Sequence, residues 1–312
     1  SACLVGSEMC IRDSPESFET LWGQPVTTEE MIKGMKASGF DSLRVPVAWT
    51  NAMEYEKGDY TINEAYLDRV EEIINYALDN DMYVIINDHW DGSWWGMFGS
   101  SEQSDVDKAF EMYKSMWTQI SEHFSDYSYK LIFESANEEL CHRLNDSDVT
   151  GTEGVLSEDE CYETTNRINS EFVKLVRSTG GKNADRFLLI AGYNTDFRKT
   201  CDDRYQMPED TAKDKLLLSV HYYTPWDYCS DGNAKRWGTP GDYEEQNSLF
   251  QMLTKFTDRG YGVVIGEYAV MGAANKPDRD KFYANLLDNC DLYNYCPCLL
   301  YTSPSPRDRQ KS

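Results

Sequence analysis

Positive charge is scarce in this 312-residue sequence: 30 Lys and Arg stand against 54 Asp and Glu, for a net charge of −24. Surfaces that grip nucleic-acid phosphates or anionic membranes are built from clustered Lys and Arg. Neither partner is therefore expected, and a neutral ligand suits the balance better. Long hydrophobic runs are also missing. No stretch of about 18 apolar residues occurs, so no membrane-spanning helix is expected. Gly-rich phosphate loops are absent too, since GTEG at 151–154 and GTPG at 238–241 follow no strand directly. Histidine is rare, at 4 residues. His89, Asp91, His221 and Glu138 are ligand types, but no HxH or HExxH spacing joins them, so the expected metal and cofactor content is none.

Two kinds of residue are plentiful. Hydrophobic residues make up 40% of the chain, enough for a sizeable core. Aromatic residues make up 13%, with 8 Trp and 21 Tyr.

The two ends read differently from the rest. Residues 3–13 (CLVGSEMCIRD) and 298–306 (CLLYTSPSP) can be encoded by one shared oligonucleotide read in opposite orientations, as translated sequencing adapter would be. Residues 1–14 and 298–312 are therefore set aside as non-native adapter-like segments. Residues 15–297 remain as the folding part, an internal piece of a longer gene. Outside the ends lie Cys141, Cys161, Cys201, Cys229, Cys290 and Cys296. Their spacing fits no zinc pattern except Cys296-Pro-Cys298, which straddles the junction. Disulfides Cys201–Cys229 or Cys141–Cys161 are one reading and free thiols the other.

Helix and strand signals alternate along residues 15–297. TTEEMIKGMKASG opens with a capping box from Thr27 to Glu30 and closes at Gly39. Helical spacing recurs over 63–80, 105–125, 157–178, 243–258 and 278–289. Between these lie DSLRVPVAW, MYVIIND, YKLIFES, RFLLIAGYN, KLLLSVHYY and YGVVIGEYA. Such continuous apolar runs mark strands buried on both faces, hence a parallel sheet wrapped by helices, of class α/β. No linker or repeat divides the chain, so one domain is expected.

The polar residues choose the architecture. Each run ends in groups capable of chemistry: Arg44, then Asn87, His89 and Asp91, then Asn137 and Glu138, then Asn194, then His221 and Tyr223, then Glu267. An open sheet brings only the strands beside its switch point to a ligand. A closed (β/α)8 TIM barrel brings every C-terminal strand end to one pocket. Polar loading on six successive strands favours the barrel. With the ends set aside, that barrel is incomplete: strand one and most of strand eight are missing. A gap is expected between strands two and seven, with poor stability and aggregation.

Glu138 and Glu267 end separate buried strands. Two carboxyls facing across a barrel mouth suit glycoside hydrolysis, at roughly 5–5.5 Å for retention and roughly 6.5–9.5 Å for inversion. One must hold a proton for the leaving oxygen and the other must be ionised. Arg44 is placed to keep one ionised, and Asn137 to bond a sugar hydroxyl. Trp49, Trp90, Trp94, Trp95, Trp226 and Trp237 follow strands, where exposed rings would stack on sugars. The alternative for each Trp is a plug under the loops.

At these residues the chain resembles glycoside hydrolase family 5, the cellulase family of retaining barrels. LIFESANEE, SVHYYTPWDY and VVIGEYA resemble its motifs of strands four, six and seven. FETLWGQPVTTEEMIKGMKASGFDSLRVPVAW and YVIINDHWDG resemble earlier segments, so the likeness runs from about Ser17 to Ala269. The resemblance implies Glu138 as acid/base and Glu267 as nucleophile. It implies Arg44, His89, Asn137, His221 and Tyr223 as their supports. Trp90, Trp94, Trp95 and Trp226 remain the substrate candidates by their place after strands. It further implies a secreted, extracellular parent enzyme, a monomer when complete, cutting internal β-1,4 bonds of cellulose or related β-glucans. Mannan, xylan and xyloglucan are alternatives by the same mechanism. A non-catalytic carbohydrate-binding remnant is the alternative from another class. Departures from the family pattern are Glu139 where Pro is usual, His89-Trp90 for a His-His pair, and a strand eight that breaks near YCPC without its Trp.

Overall fold

The computed structural model describes residues 25–89, 91, 93–146, 154–230, 234–272 and 276–300, together with Glu19 and the backbone of 3–5. Eight parallel strands run in chain order around a closed barrel: β1 (Cys3–Val5), β2 (Ser42–Val45), β3 (Tyr83–Ile86), β4 (Leu131–Glu134), β5 (Leu188–Ala191), β6 (Leu216–Tyr222), β7 (Gly262–Tyr268) and β8 (Cys296–Leu300). The long helices are α1 (Glu29–Ala37), α2 (Glu64–Asp79), α3 (Gln103–His123), α4 (Glu158–Ser178), α5 (Pro240–Met252) and α6 (Arg279–Tyr293).

The expected gap is filled. Residues 3–5 pair with β2 from Ser42 to Arg44 and with β8 from Cys298 to Leu300. The expectation of an incomplete barrel therefore fails at the backbone level. A parallel ladder is built from main-chain N–H and C=O groups, so a short extended segment can complete the ring whatever gene encoded it. The ring closes on only three residues of β1.

Helix ends follow local rules. Ser157 and Glu160 form the capping box of α4, and Thr239 with Asp242 forms that of α5. In α1 the cap is Thr28, whose side chain accepts the Met31 N–H, rather than the expected Thr27. Ser38 ends that helix, and Gly39 follows at φ +96.

Strand side chains alternate between two apolar layers. Val84, Phe133, Ile190, Val220 and Ile265 pack outward against helix residues such as Val70, Ile74, Trp117 and Phe172. Ile85, Ile132, Leu189, Val264 and Cys298 form a separate cluster inside the ring. Two residues further along the same inward rows, the chemistry changes. Ile85 is followed by Asn87, Ile132 by Glu134, and Leu217 by Ser219 and then His221. The barrel is thus plugged below by apolar side chains and lined above by polar ones.

Candidate active site

Arg44, the inward residue of β2, is fully buried and organises the floor of this polar layer. Its Nε donates to Glu134 Oε2 at 2.7 Å, one terminal nitrogen donates to Glu267 Oε1 at 2.8 Å, and the other donates to Asn137 Oδ1 at 3.0 Å. Ser219 donates to the second oxygen of Glu134 at 2.6 Å. Tyr223 donates to the second oxygen of Glu267 at 2.8 Å. His89 Nε2 lies 3.9 Å from Glu267, and its Nδ1 faces the Asn87 amide at 3.2 Å.

These contacts set the charge of Glu267. Burial by itself would raise its pKa, but the charges of His221, Arg44 and His89, with the Tyr223 hydroxyl, outweigh it and hold the group at about 2. Tyr223 moves up, first through burial and then through the charge of Glu267, so it remains a donor.

A bulge aims Glu267 inward. Val220 pairs with Ile265, whereas His221 pairs with Glu267, so Gly266 is an extra residue in the ladder. Without it, Glu267 would share the outward parity of Val263 and Ile265. Only glycine fits there, because a Cβ would lie 2.9 Å from Ser219 Oγ and 3.0 Å from His221 Nε2.

Glu138 stands in the turn after β4, with 23% of its side chain exposed against 8% for Glu267. His221 Nδ1 shares a hydrogen bond with Glu138 Oε1 at 2.9 Å and lies 3.6 Å from Glu267 Oε2. One ligand-type atom from each of Glu138, His221 and Glu267 falls within 4.8 Å of the others. An oxygen of each carboxyl thus comes within 4.8 Å of one on the other. Among the described residues this is also the one trio whose spacing could hold a metal ion. Both oxygens of Glu267 are already engaged, however, one of them by a guanidinium that repels cations.

A pocket of ≈ 470 Å³ opens on Glu138, Glu267, Tyr223 and Trp226, with Met271, Arg279 and Tyr283 at its side. Trp226 is 67% exposed and meets Tyr223 edge-on. Trp94 and Trp95 do not share this role. They are buried, stacked on one another at 4.6 Å, with Phe98 beside both and Tyr113 of α3 against Trp95. Their turn folds back on α3, which makes them loop plugs. Trp49 and Trp237 are buried as well. Trp90 lies outside the described residues.

Other expectations also shift. Asp91 binds the Thr50 N–H and hydroxyl, and Asn194 is tied to Leu140 and Cys141, so neither joins the carboxyl pair. Cys141, Cys161, Cys201 and Cys229 are free thiols, so the two suggested disulfides do not form. Cys296 is free and Cys298 is disulfide-bonded, which removes the one zinc-like pair. Glu134 was missed as a site residue. The signal was there: it lies on the inward row of β4, two residues beyond Ile132.

Residues 6–297 match the model of the family described as Cellulase (glycosyl hydrolase family 5). A xyloglucan-specific endo-β-1,4-glucanase of Bacteroides ovatus is 35% identical over 280 residues, covering 86% of this chain and 52% of that protein. Endoglucanase A of Paenibacillus barcinonensis is 33% identical over 290 residues, covering 84% of this chain and 68% of that protein. This chain thus spans about half the length of the first. Among solved structures, a broad-specificity endoglucanase from Ruminococcus champanellensis with bound cellotriose superposes with a TM-score of 0.80 at 29% identity, covering 96% of this chain and 86% of that one. By its family match and by its relatives, the chain belongs to the cellulase family, glycosyl hydrolase family 5.

Proposed function

We propose that this chain is a retaining endo-β-1,4-glucanase, with Glu267 as nucleophile and Glu138 as acid/base. The observation that carries the reading is the pairing of an ionised, immobilised Glu267 with a half-open Glu138 whose nearest oxygen is within 4.8 Å. Glu138 gives its proton to the glycosidic oxygen as the bond to the anomeric carbon breaks. Glu267 attacks that carbon from the opposite face and forms a glycosyl ester. Glu138, now ionised, takes a proton from water, and the water oxygen displaces Glu267. Each step conserves protons, and two inversions restore the β configuration.

The surroundings support these roles. Arg44 and Tyr223 hold Glu267 in place and share its charge, so attack needs little rearrangement. Asn137 is held through its oxygen by Arg44, and its Nδ2 has no partner among the described residues, which leaves it for a sugar hydroxyl. Trp226 offers the exposed ring for a pyranose face beyond the cleaved bond. Relatives named as endoglucanase and as xyloglucan-specific endo-β-1,4-glucanase favour β-1,4-glucans as substrate, and an extracellular site of action suits a polymer.

The test is reducing-sugar release from carboxymethylcellulose, xyloglucan, mannan and xylan. Glu138→Ala should lower turnover of an unactivated glucan by about 10²–10⁴-fold, and Glu267→Ala by at least as much. Proton NMR of the first product should show the β-anomer. Binding without turnover, or an α-anomer first, would overturn the reading.

A further inference from the structure

The turn that carries Glu138 leaves the sheet early. The Ser135 N–H still bonds Leu189 O on β5, but the Asn137 N–H is beyond the ladder and fully buried. A buried N–H without an acceptor is costly, so this donor must find one. It finds the next carboxylate along: Glu139 Oε2 accepts it at 2.9 Å. Glu139 is itself 4% exposed. Its main-chain oxygen accepts the Cys141 N–H at 2.8 Å, and Cys141 Sγ reaches Glu138 O at 3.5 Å. The three-residue turn 137–139 is thus clamped on both sides of Glu138.

What the clamp holds is the site. With the Asn137 backbone fixed, Asn137 Oδ1 meets Arg44 at 3.0 Å, and one residue later Glu138 meets His221 at 2.9 Å. The geometry points to Glu139 as a positioning residue: its carboxylate, by accepting the Asn137 N–H, holds Glu138 where it delivers a proton to the leaving oxygen. Glu139 acts on proton transfer by holding the turn that carries Glu138. The assignment rests on the functional reading above and adds to it a residue that the carboxylate pair does not include.

The test compares a substrate that needs a proton donor with one that does not. Cellotetraose has a poor leaving group, whereas dinitrophenyl β-cellobioside expels a phenolate without protonation. The quantity measured is kcat/KM, which reports only the first, glycosylating step. Glu139→Ala should lose about 10–100-fold on cellotetraose, the size expected when a catalytic group is slightly misplaced. The loss should fall in kcat rather than KM, with dinitrophenyl β-cellobioside changed less than about 3-fold. Glu139→Gln keeps an oxygen acceptor and should return cellotetraose turnover to within about 3-fold of wild type. Glu138→Ala, run in parallel, should show the same substrate selectivity more strongly.

Equal losses on both substrates, or no recovery in Glu139→Gln, would overturn the positioning role. If Glu139→Ala folds poorly by its melting curve, the Gln variant alone decides, because a full loss there also overturns it. A Glu138→Ala variant that matches wild type on cellotetraose would instead sink the functional reading. That outcome is distinct from a wild-type-like Glu139→Ala beside an impaired Glu138→Ala, which sinks only this inference.

Discussion

At the scale of single residues, two buried carboxyls in this barrel are shifted in opposite directions, and the sign of each shift says what pH does. Glu267 is held at about 2 against an ordinary 4.5. Its folded, ionised form is the favoured one, so its contribution to stability is present above about pH 4.5 and disappears as pH falls toward 2. Asp88 is the reverse. Burial first, then Asp91, then Glu139 push it well above its ordinary 3.8. The unfolded chain ionises this group on passing pH 3.8 while the folded chain resists, so stability is lost as pH rises from there. Asp88→Asn cannot ionise and should escape that loss. We expect it to melt above wild type at pH 7, with the gap opening as pH rises from the ordinary carboxylate range. The difference should vanish near pH 3. Melting temperatures of both proteins across pH 3–8 measure it. A constant offset at all pH values would mean that packing, and not ionisation, separates them.

At the scale of elements, the one irregularity in β7 decides where a site residue points. The register slip at Gly266 turns Glu267 from the helix-facing row to the lumen. Gly266→Ala places a methyl group against Ser219 Oγ and the His221 ring. Neither neighbour can yield freely, since Ser219 donates to Glu134 and His221 bonds Glu138. We predict a loss of kcat/KM of about 10²-fold with the fold retained, because a small displacement of a reacting group costs that much. Hydrolysis assays with a far-ultraviolet CD spectrum separate the two effects. Unchanged activity would show that the ladder absorbs the methyl group elsewhere. The same element logic explains the tryptophans. Trp94 and Trp95 follow β3 as Trp226 follows β6, yet the first two fold under their loop onto α3, and Trp226 stays at the pocket rim.

At the scale of the whole molecule, the ring is closed by its shortest strand. β1 offers three residues to β2 and β8, and without them those neighbours would present open edges. Deleting residues 1–5 should therefore broaden the thermal transition and promote aggregation. Light scattering during a melt would show this, and a deletion variant with an unchanged sharp transition would make β1 dispensable. We also propose that 1–14 and 298–312 are foreign to the parent gene. Replacing them with parent sequence should raise both the melting temperature and turnover, and a replacement that lowers them would contradict it. Chelation is a further whole-protein test. With Glu267 engaged by Arg44 and Tyr223, activity is expected to survive EDTA. Loss in EDTA with recovery in Zn²⁺ would reassign Glu138, His221 and Glu267 as ligands.

The sequence by itself determined the alternation of apolar strands and amphipathic helices, and with it the barrel. It also determined which strand ends are polar: Arg44, Asn137, Glu138, His221, Tyr223 and Glu267 were legible because an apolar run that turns polar is a local pattern. What it left open were matters between distant segments. Arg44 meets Glu134 across 90 positions and Glu267 across 223, and no local periodicity reports such pairs. Whether a loop tryptophan is exposed depends on what the loop packs against. Whether Cys141 and Cys161 join depends on where a turn and the start of α4 lie, and both stay free. The gap expected from the foreign-looking ends closed because backbone pairing asks only for extended chain. The direction of Glu267 was decided by tertiary structure alone. Strand parity is local, but the slip at Gly266 forms only because β6 lies alongside, with Ser219 and His221 filling the space a side chain would need.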